Sequence, residues 1–299
     1  MNLSIITPVF NERKRIEEYL KRLEKQTVKP EIVLVDGGST DGTIEFIKQY
    51  QKKHKNVKLY FETGEYRSPA NARNIGVKKA IGEVIHLADV DTIFEKKFTE
   101  KIIKEFKREK KRKIIKFKVI PLSLTKFSSL IQKVYYWRDY SRWIVNPRLF
   151  IFKKELVPLQ NSSLGYGEDK LIQEEVRKIF KKHPFKKSSI SLSYFVLGPS
   201  SLSEVWKRYK WYGRTGMLYY NKSKDKIHLL KMLLAFFSIP FFPLILIPMA
   251  RGFIYSLRVI KQYPQGVILI PLLEAISFPA MAIGIWEYLL GKSKKHRGH

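Results

Sequence analysis

Two short acidic segments carry the chemistry written most plainly in this chain. Glu31-Ile-Val-Leu-Val-Asp36-Gly-Gly-Ser-Thr-Asp41-Gly runs an apolar stretch into two carboxylates among glycines, and Val84-Ile-His-Leu-Ala-Asp89-Val-Asp91 repeats the device further along. Apolar runs of this length bounded by Gly and Asp read as interior strands of a parallel sheet. Ligands of such sheets bind at the carboxyl ends of the strands, so both sets of acids should gather at one edge. Asp89 and Asp91 on a turn suit Mg2+ or Mn2+, hard ions that take oxygen ligands. An ion held there would bridge a diphosphate and stabilise it as a leaving group. Taken alone, the same pair serves equally well as a strand-end cap. Gly37 and Gly38 beside Asp36 let the backbone approach a flat ligand closely.

Three further segments hold candidate groups. Ser68-Pro-Ala-Asn-Ala-Arg73-Asn74-Ile-Gly76 opens a helix, and a helix N-terminus with an Arg nearby suits phosphate. Gly165-Tyr-Gly167-Glu168-Asp169 offers a carboxylate as general base on an acceptor hydroxyl, although the same residues fit a helix cap. Trp206-Lys-Arg208-Tyr-Lys210-Trp211-Tyr-Gly213-Arg214 interleaves cations with aromatics. Lys210 and Arg214 there could clamp a diphosphate while an aromatic stacks on a sugar, or the segment could anchor at a membrane interface.

The elements that must position these groups follow from periodicity. Strands are expected at Leu3–Pro8, Glu31–Val35, Val57–Phe61 and Val84–Ala88, alternating with helices at 13–26, 42–54 and 69–80. This alternation predicts an α/β fold with an open, mostly parallel, doubly wound sheet. Beyond Asp91 a helix is expected over 95–108 and a strand over 113–121. The stretch 122–143 mixes Leu, Ile, Tyr and Trp with Lys and Arg, which suits an interfacial helix or a surface helix against the core.

Composition bounds the rest. The 299 residues carry 57 Lys and Arg against 27 Asp and Glu, a formal charge of +30, and no cysteine. The cysteine count excludes a disulfide framework and a thiolate metal site. The charge alone is compatible with nucleic acid, but the basic residues are spread along the chain and crowd beside apolar segments, so no nucleic-acid partner is expected. Residues 229–250 and 266–290 are apolar on every face and each long enough to cross a hydrocarbon core of about 30 Å. They predict a two-helix membrane hairpin over 226–299, in preference to a pair of buried core helices and with Pro240, Pro243, Pro248, Pro271 and Pro279 leaving room for kinked or re-entrant segments, following a catalytic domain over 1–225 with interfacial helices near 122–143 and 201–220. Flanking lysines place the catalytic domain and the C-terminus on the cytoplasmic side of the cell membrane. The opening residues have no basic n-region, so membrane insertion is expected from the tail. Glu274, a costly charge within the second segment, is expected to face a polar groove or Lys231, or to be neutral, or to sit shallow.

Taken in order, Thr7-Pro8-Val9-Phe10-Asn11-Glu12, Val35-Asp36-Gly-Gly-Ser-Thr-Asp41-Gly42-Thr43, Ala72-Arg73-Asn74-Ile-Gly76, Asp89-Val-Asp91, Gly167-Glu168-Asp169 and Lys207-Arg-Tyr-Lys210-Trp211 resemble the family 2 inverting glycosyltransferases of GT-A fold. The resemblance covers roughly residues 1–215, and the tail looks like a reduced cellulose-synthase-like membrane arrangement. It implies that Pro8, Glu12 and Asp36 line the nucleotide base and that Asp41 or Arg73 supports the nucleotide pocket. Asp89 would meet the ribose or diphosphate, Asp91 would bind the metal, Asp169 would be the base, and Trp211 would cap the acceptor sugar. Glu168, Lys210 and Arg214 are the accompanying acceptor and diphosphate contacts. The family's usual second Asp is Gly37 here, and its Gln-x-x-Arg-Trp motif is matched only loosely.

The expected activity is transfer of a sugar from a UDP- or GDP-sugar to a hydroxyl of a lipid-linked glycan or glycolipid, with Mn2+ or Mg2+. The alternatives are a polyisoprenyl-phosphate glycosyltransferase, whose ionised acceptor needs no base, and an inactive membrane-tethered nucleotide-sugar-binding module.

Overall fold

In the computed structural model the described residues are all except 65–66, 110, 112, 117–128, 142–149, 161–174, 177, 183–193, 197–198, 225 and 292–299. Four buried apolar runs form the centre of one sheet: β1 (Leu3–Val9), β2 (Glu31–Asp36), β3 (Val57–Phe61) and β4 (Val84–Leu87). Every residue of β4 and all but the first of β2 are buried, as expected of strands covered on both faces. The order is β3-β2-β1-β4-β7-β6, with β6 at Ile114–Lys116 and β7 at Phe150–Lys153. Pairs among β1 to β4 are parallel, whereas β7 pairs antiparallel to both β4 and β6. The sheet is therefore mixed at one edge. A small second sheet joins β5 (Thr92–Phe94) to β8 (Tyr194–Val196).

Helices α1 (Arg13–Glu24), α2 (Thr43–Lys53), α3 (Pro69–Lys79) and α4 (Phe98–Arg108) supply the crossovers and flanks. The helix expected from 95 starts at Phe98, and of the strand expected over 113–121 the structure describes Ile114–Lys116. Close packing of α3 on the sheet depends on Gly76, where a Cβ would lie 2.3 Å from Ile6 Cγ2.

The described residues fall into two compact units, one holding β1 to β8 with α1 to α4 and the other a group of helices. The helical unit contains α5 (Leu130–Ser141), α6 (Leu202–Ser223), α7 (Lys226–Phe236), α8 (Leu246–Leu257), α9 (Gly266–Ala275) and α10 (Ser277–Leu289). The boundary expected at 225 is thus displaced, because α5 and α6 pack with the tail. Val134, Tyr135, Trp137, Val205 and Tyr209 share one buried cluster with Ile270, Leu273, Met281 and Ile285. Gly213 and Gly284 permit this, since a Cβ on either would lie about 2 Å from opposing backbone, at 2.0 Å from Met281 O and 1.9 Å from Lys210 O respectively.

The single helix expected over 229–250 is also corrected. It is two helices, α7 and α8, separated by a turn and a 3-10 segment at Phe242–Ile245. Pro240 and Pro243 explain the break, since proline removes a backbone donor and clashes with the preceding turn. One stretch, Gly266–Leu289, is long and apolar enough to cross a membrane, and much of it is buried within the unit. Glu274 is 1 % exposed and is held by Arg138 at 3.3 Å, by Arg251 and by the Tyr209 hydroxyl at 3.3 Å. It sits in a polar cluster, and the cations that were not foreseen as its partners are Arg138 and Arg251.

Candidate active site

The carboxyl ends of β1, β2 and β4 converge as parallel strands require, and the loops that follow them carry the acids. Asp36 closes β2 and is buried; its Oδ1 accepts from the backbone N–H groups of Gly38 (2.7 Å) and Ser39 (2.8 Å), and its Oδ2 accepts from Ser39 Oγ (2.6 Å). The carboxylate thus braces its own glycine turn, where Gly38 has φ +93°. That turn is stitched to the loop after β1. Asn11 N–H donates to Ser39 Oγ (2.8 Å), Thr40 N–H to Asn11 Oδ1 (2.9 Å), and Arg13 N–H to Asp41 Oδ2 (3.0 Å). Burial opposes ionisation of Asp41, but hydrogen bonds from Thr43 and Arg13 outweigh it and hold the carboxyl below its usual range.

Glu12, just before α1, is ion-paired with Arg15 at 2.7 Å. Burial pushes its carboxyl above the usual range, Arg15 opposes this, and the negative charges of Asp89 and Asp41 add to it. Glu12 therefore feels the negative charges of both Asp41 and Asp89. Pro8 lies on β1 opposite Val35 of β2, one step before Val9 meets Asp36.

Asp89 and Asp91 follow β4. Arg73, buried on α3, donates to Asp89 Oδ1 at 2.8 Å and to Gln160 Oε1 at 3.1 Å. Gln160 is clamped in turn: its N–H donates to Asn74 Oδ1 (2.8 Å) and its carbonyl accepts from Asn74 Nδ2 (2.7 Å). Below the acids, Tyr19 and Thr7 share a hydrogen bond; burial, with the charges of Asp89 and Asp91, pushes the phenol upward. The N-terminus of α3 is capped from within the chain. That end already receives a carboxylate, because Ser68 N–H donates to Glu62 Oε1 at 3.0 Å and Ser68 Oγ accepts from Asn71 N–H. Arg73 is engaged with Asp89 and Gln160.

Gln160, Glu62, Tyr19 and Thr7 were not foreseen as parts of the site. Gln160 lacks any motif, and only the tertiary fold brings it to Arg73. The signal for Glu62 lies at Gly37, the departure from the family pattern: a Cβ there would be 2.9 Å from Glu62 Oε2, so glycine leaves the room that this second acid fills. Glu168 and Asp169 lie outside the described residues. Lys210, Trp211 and Arg214 belong to α6 of the helical unit, where Lys210 pairs with Glu287 at 2.6 Å.

The donor chemistry fits a hard divalent ion. Asp89 and Asp91 supply carboxylate oxygens, and among the described residues no group of three or more His, Cys, Asp or Glu assembles. Mg2+ and Mn2+ suit such a site, since one or two carboxylates suffice when substrate phosphates and water complete the shell. With Asp89 Oδ1 given to Arg73, Asp91 is the better candidate ligand.

Comparison with known proteins agrees with this geometry. The model named "Glycosyl transferase family 2" matches residues 4–158, more than half of the chain. A dolichyl N-acetyl-alpha-D-glucosaminyl phosphate 3-beta-D-2,3-diacetamido-2,3-dideoxy-beta-D-glucuronosyltransferase of Methanococcus voltae is 38 % identical over 114 residues, 36 % of this chain and 35 % of that protein. A poly-beta-1,6-N-acetyl-D-glucosamine synthase of Staphylococcus aureus (strain COL) is 25 % identical over 226 residues, 70 % of this chain and 53 % of the relative. The matches thus span about a third to a half of these relatives. Among solved structures, the mannosyltransferase PcManGT of Pyrobaculum calidifontis, in complex with GDP-Man and Mn2+, aligns with TM-score 0.57 at 17 % identity, over 98 % of this chain and 88 % of that one. S. aureus TarS residues 1–349 with UDP-GlcNAc aligns with TM-score 0.52 at 19 % identity, over 99 % and 93 %. At these identities the likeness is one of fold.

Proposed function

Given that the chain belongs to glycosyl transferase family 2, we propose that it moves a sugar from a UDP- or GDP-sugar to a hydroxyl of a lipid-linked glycan or glycolipid, with inversion, at the cytoplasmic face of the cell membrane. The observation that carries this reading is the Asp89–Arg73 ion pair beside Asp91, set against Glu12, Asp36 and Asp41 at the ends of parallel strands. A lipid-linked acceptor is supported by the dolichyl phosphate in the name of the Methanococcus voltae relative, and a membrane site by the apolar tail.

In this mechanism Pro8, Glu12 and Asp36 line the nucleotide base, and Asp41 holds the loop that carries them. Asp91, with Asp89, would hold the Mn2+ or Mg2+ ion, which when bound would supply positive charge against the departing diphosphate. Arg73 orients Asp89, and Gln160 orients Arg73. Glu168, Lys210 and Arg214 meet the acceptor or diphosphate, and Trp211 caps the acceptor sugar. Asp169 takes the proton from the acceptor hydroxyl as that oxygen attacks the anomeric carbon and the bond to diphosphate breaks. In-line attack on an α-linked donor gives a β-linked product.

The test is transfer of label from radiolabelled UDP- and GDP-sugars into the lipid phase of native membranes with Mn2+. Asp169→Asn is expected to lose about a hundredfold or more in turnover while donor binding survives. Full transfer by this variant would reassign the acceptor to an already ionised lipid phosphate. Donor binding without any transfer in the wild type would leave a tethered binding module.

A further inference from the structure

We propose that the helical unit enters a single leaflet, laying α7 and α8 in the plane of an anionic membrane surface, and that no helix crosses the bilayer. This rests on the membrane reading above and decides its topology. The first observation is that α7 and α8 are amphipathic the wrong way round for water. In α7, Ile227, Leu230 and Leu233 face outward while His228, Met232 and Ala235 are buried. In α8, Leu246, Ile247, Phe253, Ile254 and Leu257 face outward while Pro248, Gly252 and Ser256 are buried. A helix in water puts its apolar stripe against the core; these stripes need an apolar solvent.

The turn between them adds Phe237, Ile239, Phe241 and Phe242, the last 73 % exposed, and residues 232–250 contain no ionisable group. Beyond this uncharged arm the chain is basic, with Lys224 and Lys226 exposed before it and Arg258 and Lys261 exposed after it. Apolar side chains flanked by cations match acyl chains beneath anionic headgroups.

The second observation is length and neighbourhood. At 1.5 Å per residue, the 11 residues of α7 and 12 of α8 reach roughly 16–18 Å, well short of about 30 Å. The stretch Gly266–Leu289 is long enough, but α10 lies along α6, with Gly284 against the Lys210 carbonyl and Lys210 Nζ on Glu287. Helix α6 carries Glu204, Lys207, Arg208, Lys210 and Arg214. A crossing orientation of α10 would draw Arg214 and the Lys210–Glu287 pair, which lie beside residues 281–287, into the membrane, where ionised groups are costly. An in-plane placement keeps them among headgroups.

The chain has no cysteine, so single-cysteine variants report one site each. Full-length protein carrying Lys52→Cys in α2, Lys261→Cys between α8 and α9, or Lys294→Cys is reconstituted into sealed vesicles of mixed anionic and zwitterionic phospholipid. A membrane-impermeant maleimide is added before and after detergent. All three sites are expected to label externally to the same fraction in each preparation, because they lie on one side. A fraction at Lys261→Cys or Lys294→Cys complementary to that at Lys52→Cys would mean a crossing helix and overturn the proposal, leaving the membrane reading standing. Failure of protein that still binds nucleotide sugar to float with the vesicles would overturn both.

Discussion

Gln160 shows how the site is held at the scale of single residues. Its backbone is bracketed by Asn74 and its side chain by Arg73, so the guanidinium that meets Asp89 has a fixed position before any substrate arrives. Gln160→Ala is expected to lower turnover about ten- to a hundredfold with little change in thermal midpoint, as loss of a support to a ligating group usually does. Steady-state kinetics over donor concentration check this, and a variant that merely unfolds would lose both. Asp91→Asn is expected to lose about a hundredfold or more and, with it, the dependence of rate on added Mn2+. His86 gives a pH prediction. It is fully buried on β4, and burial lowers its pKa to about 4 from 6.5, so the folded protein holds it neutral while the unfolded chain protonates first. Stability is then complete above about pH 6.5 and falls as pH drops towards 4, by about 3 kcal/mol in all. Denaturant titrations at pH 7 and pH 4.5 should show the loss, and His86→Leu should reduce it.

Elements are limited by how closely they approach. Periodicity predicted α3 well, with bounds of 69–80 against Pro69–Lys79 observed, but not why its eighth residue is glycine. Contact with Ile6 supplies the reason. Gly76→Ala is expected to cost about 1–3 kcal/mol through overpacking, read as a shift of the urea midpoint at unchanged slope. The break between α7 and α8 was within reach of the sequence through Pro240 and Pro243.

Across the whole molecule, the helical unit is tied by charge as well as by apolar packing. Arg138 from α5, Arg251 from α8 and Glu274 from α9 meet where both Arg138 and Glu274 are nearly inaccessible. Removing one partner leaves a buried charge uncompensated. Glu274→Leu is therefore expected to cost about 3–5 kcal/mol, and adding Arg138→Leu should recover part of that. Thermal denaturation of detergent-solubilised protein compares the two. Recovery would identify the cluster as a device of pairing, whereas strictly additive losses would point to packing alone.

What the amino-acid sequence determined by itself was local and periodic. Alternating apolar runs and caps specified β1 to β4 and α1 to α3, and strand-end acids marked the edge at which the proposed site lies, because side-chain period and turn residues act over a few positions. Tertiary structure decided what depends on distance along the chain. It turned β7 antiparallel beside β4, brought Gln160 to Arg73, filled the room at Gly37 with Glu62, and took α5 and α6 into the helical unit. Such contacts follow from shape and from the need to satisfy buried polar groups, neither of which is written in any one segment.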